Sequence, residues 1–275
     1  MLTEEEKQEQ FMLLLLALAN RRERQIIQQN RPLFIDTMKG LRRLVQRLSP
    51  DGEFRQYEWR RLRREVPTLI NNLVVGFTNQ TMPALVALER PVQELAQDYA
   101  DFDEQSFTAL SEQELLETVF IDQSKLPLLA YLIYNGRLAQ DLTNKLNRLV
   151  DIGLLRGDPT QKIANDVLRL TVRAGKVVPV VKTGSYANLA STQIQNTLDG
   201  AVWGTINQNV KIAWDGKTAQ RWIWNAVLDS RTCPICAPLH LKEVPKPVTF
   251  VPTGYSRTLP PVHPRCRCVI LPVFT

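Results

Sequence analysis

The amino-acid sequence predicts a mainly α protein that ends in a small α+β module. Three observations carry this reading. Roughly the first two hundred residues are rich in Glu, Gln, Leu and Arg, with apolar residues at helical spacing. From Val210 onward the texture changes: nine of the seventeen prolines fall there, between short apolar stretches, and helical periodicity fades. All four cysteines and both histidines lie between Cys233 and Cys268. At 275 residues, with 44% hydrophobic and 23% charged side chains, the chain can bury a core and is globular in composition.

Leu2 to Asn30 holds neither proline nor glycine and reads as a first helix, which Pro32 is expected to break. A second segment runs from Leu33 to Leu48, and Ser49-Pro50-Asp51-Gly52 is a turn by composition. A third helix covers Glu53 to Val66, and Pro67 and Pro83 punctuate the stretch beyond it. Asp98 to Ser111 reads as a looser acidic connection. Leu126 to Leu155 returns to a helical pattern through Leu128, Leu132, Leu138, Leu142 and Leu146. Asp158-Pro159-Thr160-Gln161 then gives an N-cap aspartate, a proline at the first helical position and a capping-box glutamine, so a helix runs from Pro159 to about Ala174. Another spans Ser185 to Leu198 and extends toward Ile206. Arg221 to Val227 and Cys268 to Phe274 read as short strands. A boundary near residue 208 separates the helical part from the last module.

Composition narrows the function classes. The longest early apolar run, Phe11 to Ala19, is nine residues, whereas a spanning helix needs about 20. Glu4, Glu5, Glu6 and Glu9 stand where a signal peptide would be basic. A reducing cytosol is therefore expected, where four cysteines are better explained by metal than by disulfides. No Gly-x-x-x-x-Gly-Lys loop and no Gly-x-Ser-x-Gly elbow occurs, which removes two large enzyme classes. The net charge of +6 suits an acidic partner without requiring one. Its densest basic stretch, Arg55, Arg60, Arg61, Arg63 and Arg64 with Tyr57 and Trp59 interleaved, is a candidate nucleic-acid or partner contact. A solvated helix face is the plainer explanation of the same residues.

The strongest constellation is Cys233-Pro-Ile-Cys236 followed, after a proline-rich excursion, by His263-Pro-Arg-Cys266-Arg-Cys268. A Cys-x-x-Cys turn aims two thiolates at one centre, and His263-x-x-Cys266 repeats the spacing. Two such turns make a tetrahedral site of the kind zinc prefers with sulfur and nitrogen ligands. Five candidates, Cys233, Cys236, His263, Cys266 and Cys268, compete for four positions. If Cys266 and Cys268 lie on a strand they share a face, with Arg267 opposite. An all-cysteine site with His263 outside it, and a site that includes His263, both satisfy the spacing. Either one closes the metal's shell and leaves no place for a reactive water, so a structural zinc and no enzyme is expected. No His-x-Glu pair is present to support a zinc deaminase, and His240 reads as a loop residue. The fold class becomes mainly α with a small C-terminal zinc-stabilised α+β module.

These residues resemble a known family. A tryptophan at 222 or 224, then Asp229-x-Arg231-Thr232-Cys233-x-x-Cys236, then Pro260-Pro261-x-His263-Pro264-x-Cys266-Arg267-Cys268, is similar to the C-terminal signature of the Mu F-like head-morphogenesis proteins of tailed bacteriophages. The helix start Gly157-Asp158-Pro159-Thr160-x-x-Ile163-Ala164 is similar to that family too. Lys182-Thr183-Gly184 departs from its common Arg-Thr-Glu, and Leu239-His240-Leu241 stands where a glycine is common. The resemblance covers roughly residues 124–275. It implies the helical part of a head-morphogenesis domain at 124–208 and the metal module at 209–275, while residues 1–123, outside the resemblance, read as an N-terminal helical region that docks on a partner. It also implies a structural minor head protein in the virion, at or near the portal vertex, that is assembled in the host cytoplasm. Its partners would be the portal protein, the major capsid protein and packaged DNA, with no membrane and no small-molecule substrate. The rival function is a zinc-containing nucleic-acid-binding protein.

Overall fold

Apolar residues at three- and four-residue spacing govern most of the chain, and long helices follow from them. The computed structural model describes residues 3–100, 107–118, 137–175, 186–214, 221–229, 232, 234–245, 260 and 266–273. In chain order the helices are α1 (Glu4–Leu48), α2 (Gln56–Val86), α3 (Glu89–Tyr99), α4 (Glu112–Thr118), α5 (Arg137–Leu155), α6 (Thr160–Gly175) and α7 (Tyr186–Ala213). The strands β1 (Arg221–Ala226), β2 (Lys242–Pro245) and β3 (Cys268–Val273) come after them. Among the described residues no helix is long and apolar enough to cross a membrane. The chain forms two compact units. One gathers Met1–Gln25, Met82–Leu132 and Asn196–Thr275, and the other gathers Ile26–Thr81 and Ile133–Gln195.

In the second unit the contacts Asn30 with Thr81 (3.4 Å), Phe34 with Phe77 (ring centroids 6.0 Å) and Arg47 with Glu65 (2.8 Å) step forward along α1 and backward along α2. The two helices therefore run antiparallel. The connecting turn is the one expected at Ser49–Gly52: Gly52 has φ of 84°, open to glycine, and its N–H donates to the Ser49 carbonyl. Trp59, Leu62, Val66, Ile70 and Leu73 of α2 form one buried stripe that packs with Met38, Leu41, Val45 and Leu48 of α1.

The prolines overturn the expected breaks. Pro32 lies inside α1, and Pro67 and Pro83 lie inside α2, so neither helix stops where proline alone would stop it. All three rings are solvent-exposed. Each leaves a carbonyl one turn back without its usual donor, on a side where water can supply one, while the buried stripe continues unbroken. Continuous burial outweighs the cost of about 3 kcal/mol that proline carries inside a helix.

Leu142, Leu146 and Val150 of α5 and Ile163, Ala164 and Val167 of α6 complete the same core. Between them the Asp158 N–H donates to the Gly153 carbonyl and the Gly157 N–H to that of Leu154, with Gly157 at φ 65°. This is a Schellman ending, which needs the glycine. Helix α6 begins where expected, but Gln161 reaches Gln46 and Asn165. Its start is anchored by the Thr160 hydroxyl against the Ser49 hydroxyl at 2.6 Å and by the Thr160 N–H on the Gly52 carbonyl at 3.0 Å. The two turns legible in the sequence thus hold each other.

In the first unit Phe11, Leu15 and Ala19 of α1 are buried, as are Leu198, Val202, Trp203 and Ile206 of α7. Helix α7 runs past Ile206 to Ala213. Gln93 holds segment 107–110 against α3: its amide donates to the Thr108 carbonyl at 2.8 Å and accepts the Thr108 N–H at 3.0 Å. Strand β1 is central in an antiparallel sheet of order β2-β1-β3. The two expected strands are present, and β2 is an addition. Residues 101–106 and 119–136, where the acidic connection and the Leu126 helix start were read, lie outside the described residues.

Candidate metal centre

Alternation along β1 places Trp222, Trp224 and Ala226 on one face, and register sets them opposite Pro272, Ile270 and Cys268 of β3. Onto this face folds the segment Pro234–Leu241, a turn followed by a 3-10 turn at Ala237–Leu239. The Leu241 N–H donates to the Trp224 carbonyl at 2.8 Å, which fixes the segment to the sheet. Cys236, Cys266 and Cys268 meet in the resulting core with Trp224, Ala226, Leu239 and Ile270.

The three sulfur atoms all lie within 4.8 Å of one another, and those of Cys236 and Cys266 are 3.9 Å apart. Bonds of about 2.3 Å from zinc to sulfur at tetrahedral angles separate ligand sulfurs by about 3.8 Å. The donor set therefore fits a tetrahedral thiolate site. Cys266 and Cys268 turn their thiols to the same centre, although only Cys268 lies on β3 and Cys266 comes just before it. The neighbouring thiols of Cys236 and Cys266, reinforced by burial, push the Cys268 thiol well above its ordinary range. A bound divalent cation would reverse that balance, because it stabilises the thiolates and takes the place of their protons.

Side chains around the cluster hold its loops. Arg267 is buried and makes a bidentate ion pair with Asp229, its Nη1 donating to Oδ2 at 2.9 Å and its Nη2 to Oδ1. The Thr232 hydroxyl accepts the Asp229 N–H at 2.7 Å and donates to the Val227 carbonyl. The Asp-x-Arg-Thr and Cys-Arg-Cys elements of the sequence are thus joined physically. His240 is half-buried and accepts the Ala226 N–H on Nδ1 at 3.2 Å, while burial pushes its pKa down, so it serves β1 as a neutral ring. From α7 the Asn207 amide donates to the Cys268 carbonyl at 2.9 Å. Trp214 donates to the Ala96 carbonyl at 2.8 Å and packs 6.0 Å from Trp222, which ties the sheet to α3.

Of the five ligand candidates, Cys236, Cys266 and Cys268 are brought together, and Cys233 and His263 lie outside the described residues. The Arg267–Asp229 pair and the role of His240 were not foreseen. The recurrence of Asp and Arg at fixed places in the two motifs was the available signal.

The basic stretch divides. Arg55 pairs with Asp51 (3.1 Å) and Glu53 (3.0 Å). Arg63 lies 4.6 Å from the Trp59 ring centroid and pairs with Asp151 at 3.4 Å. Arg60, Arg61 and Arg64 are exposed.

A mainly helical protein with a C-terminal sheet that gathers buried thiols is the class this geometry defines. The family model described as Phage Mu protein F like protein matches residues 134–271, and the chain belongs to that family. The match contains α5, α6, α7, β1, β2, the first four residues of β3 and all five ligand candidates. No curated protein and no solved structure gives a match.

Proposed function

We propose that this chain is a structural minor head protein of a tailed bacteriophage, placed at the portal vertex and acting in capsid assembly, DNA packaging or control of DNA ejection. Family membership across residues 134–271 carries the reading. The thiol cluster inside the matched segment supports it, as a device that stiffens a small module for docking on a larger assembly.

In this reading zinc is a structural cofactor. Cys236, Cys266 and Cys268 supply three ligands, and Cys233 or His263 supplies the fourth. Zinc contributes ordering energy where apolar burial is thin, and a shell filled by protein ligands performs no catalysis. Residues 1–123 dock on a partner, and residues 124–208 and 209–275 form the head-morphogenesis domain. The portal protein is the first partner, with the major capsid protein and packaged DNA near by. The virion is the site of action, and the host cytoplasm is the site of assembly.

Cross-linking mass spectrometry on purified heads tests the placement. Links from this chain to the portal protein, at a few copies per head, are expected. Links confined to the major capsid protein at high copy number, or heads that lack the chain, would overturn it. Elemental analysis of the purified protein tests the cofactor separately, with one zinc per chain expected and metal-free protein of unchanged fold the contrary result.

A further inference from the structure

The exposed side of α2 between Tyr57 and Asn79 is unusual in its charge. Helix α2 contains only two carboxylates, Glu58 and Glu65, and both are half-buried and engaged. Glu58 accepts the Arg55 backbone N–H at 3.1 Å, and Glu65 pairs with Arg47 at 2.8 Å. Every fully exposed residue of the helix is therefore neutral or positive. Tyr57, Arg60, Arg61 and Arg64 follow one another at helical spacing on a single face, and Asn71 and Val75 continue it. Among the described residues Arg60, Arg61 and Arg64 have no carboxylate partner, whereas Arg55 and Arg63 of the same stretch do. Tyr57 is 66% exposed and Val75 is 49% exposed.

We propose that this face of α2 is a docking surface for the acidic, carboxylate-bearing surface of a protein partner. The inference rests on the reading of residues 1–123 as a docking region and gives that region an address. Unpaired guanidinium groups beside an exposed tyrosine have the composition of interface anchors, since tyrosine and arginine are enriched where proteins bind one another and lysine is depleted. No lysine lies in α2. The planar guanidinium also matches a carboxylate with two parallel hydrogen bonds.

The distribution of charge favours a protein over nucleic acid. The face is about 33 Å long, yet its three cations fall within about 6 Å of helix axis. Duplex DNA carries one charge per about 1.7 Å and would cross mostly uncharged surface here. A local carboxylate cluster on a folded partner answers the three arginines, and the tyrosine, amides and valine suit the neutral remainder of such an interface.

The test compares binding of fluorescent poly-L-glutamate and of a DNA duplex, at one fixed salt concentration, to the full chain. The variant Arg60→Gln/Arg61→Gln/Arg64→Gln is set against the charge-matched control Arg21→Gln/Arg24→Gln/Arg31→Gln, whose arginines are exposed on α1. Poly-L-glutamate binding should weaken about tenfold or more in the α2 variant, a loss of about 1.4 kcal/mol, and stay near wild type in the control. Equal losses in both variants would reduce the effect to bulk charge and overturn the proposal. So would wild-type protein that does not bind poly-L-glutamate. A selective loss of DNA binding with poly-L-glutamate retained would overturn it in favour of a nucleic-acid face. None of these substitutions touches a ligand candidate or requires a portal, so the outcome reads separately from the placement and the metal.

Discussion

The helical core of the second unit and the thiol core of the C-terminal sheet bury their residues on different terms. The first assembles seventeen buried apolar side chains from α1, α2, α5, α6 and the α1–α2 connection, including Trp59, Phe54 and a long run of Leu, Ile and Val. The second has seven buried members, and three of them are cysteines. Burying a Leu or Ile contributes roughly 1.5–3 kcal/mol, so the helical core is sustained by area alone. A core in which three of seven places are cysteines, with the Cys268 thiol pushed up by its neighbours and by burial, has fewer aliphatic side chains to bury. The contrast sets a core held by apolar area against a face of the sheet where three converging thiols could hold a cation, and the metal proposed above would tie that face together.

The largest expected effect breaks the comparison at the metal. Cys266→Ser, or treatment with a strong chelator, should release the metal and cost the sheet several kcal/mol. Hydrogen exchange read segment by segment checks this. Protection should collapse in β1 and β3 and persist in α2 and α5. Uniform loss across both cores would mean that the sheet has no separate dependence.

Leu62→Ala is the reciprocal change, with Leu62 wholly buried in α2. It should cost about 3 kcal/mol in denaturant unfolding, through lost transfer energy and the cavity left behind. Metal content should stay at the wild-type level. Loss of metal in this variant would show that the helical core also holds the thiols in place.

Asp229→Ala sharpens the comparison from within the sheet region. It strands the buried Arg267 guanidinium, which sits between two thiol residues in sequence. Asp229 is itself partly exposed, so the cost should be about 2 kcal/mol, below that of a fully buried pair. Because Arg267 stands between Cys266 and Cys268 in the chain, loss of its anchor should loosen both thiols, and metal affinity should fall about tenfold. A competitive chelator titration measures that fall, and an unchanged affinity would confine the pair to a purely structural role.

The sequence made some of these features legible and hid others for identifiable reasons. Cys-x-x-Cys and Cys-Arg-Cys announce a converging thiol set because their spacing alone aims side chains together, and Cys236, Cys266 and Cys268 do converge. Gly52 and Asp158-Pro159 announced their turns because φ preference and lost donors are local properties. The effect of Pro32, Pro67 and Pro83 was misread because the decisive term is not local: the buried stripes of α1 and α2 fix the helix, and the rings face water. The division of the arginines was illegible for the same kind of reason. Asp151, which engages Arg63, is 88 residues away in the chain. Strand β2 is too short and too polar to announce itself, and it is defined by pairing with β1.

The smallest expected effect concerns one of the first unit's buried carboxyl groups. Glu89, at the start of α3, accepts the Leu110 N–H on Oε2 at 3.1 Å, and its Oε1 is buried without a hydrogen bond. Burial raises its pKa, aided by the charge of Glu114 and opposed by the Leu110 contact. The folded chain therefore holds this proton to higher pH than the unfolded chain does. The stabilising contribution is complete below the unfolded value of about 4.3 and is lost as pH rises through the folded-state pKa. Glu89→Gln keeps an oxygen for Leu110 and removes the titration. Its stability relative to wild type should therefore improve as pH rises from about 4 toward neutrality. Denaturant midpoints across that range give the difference directly. A difference independent of pH would mean that the Glu89 carboxyl titrates alike in the folded and unfolded chains, and that burial in this unit leaves its charge effectively solvated.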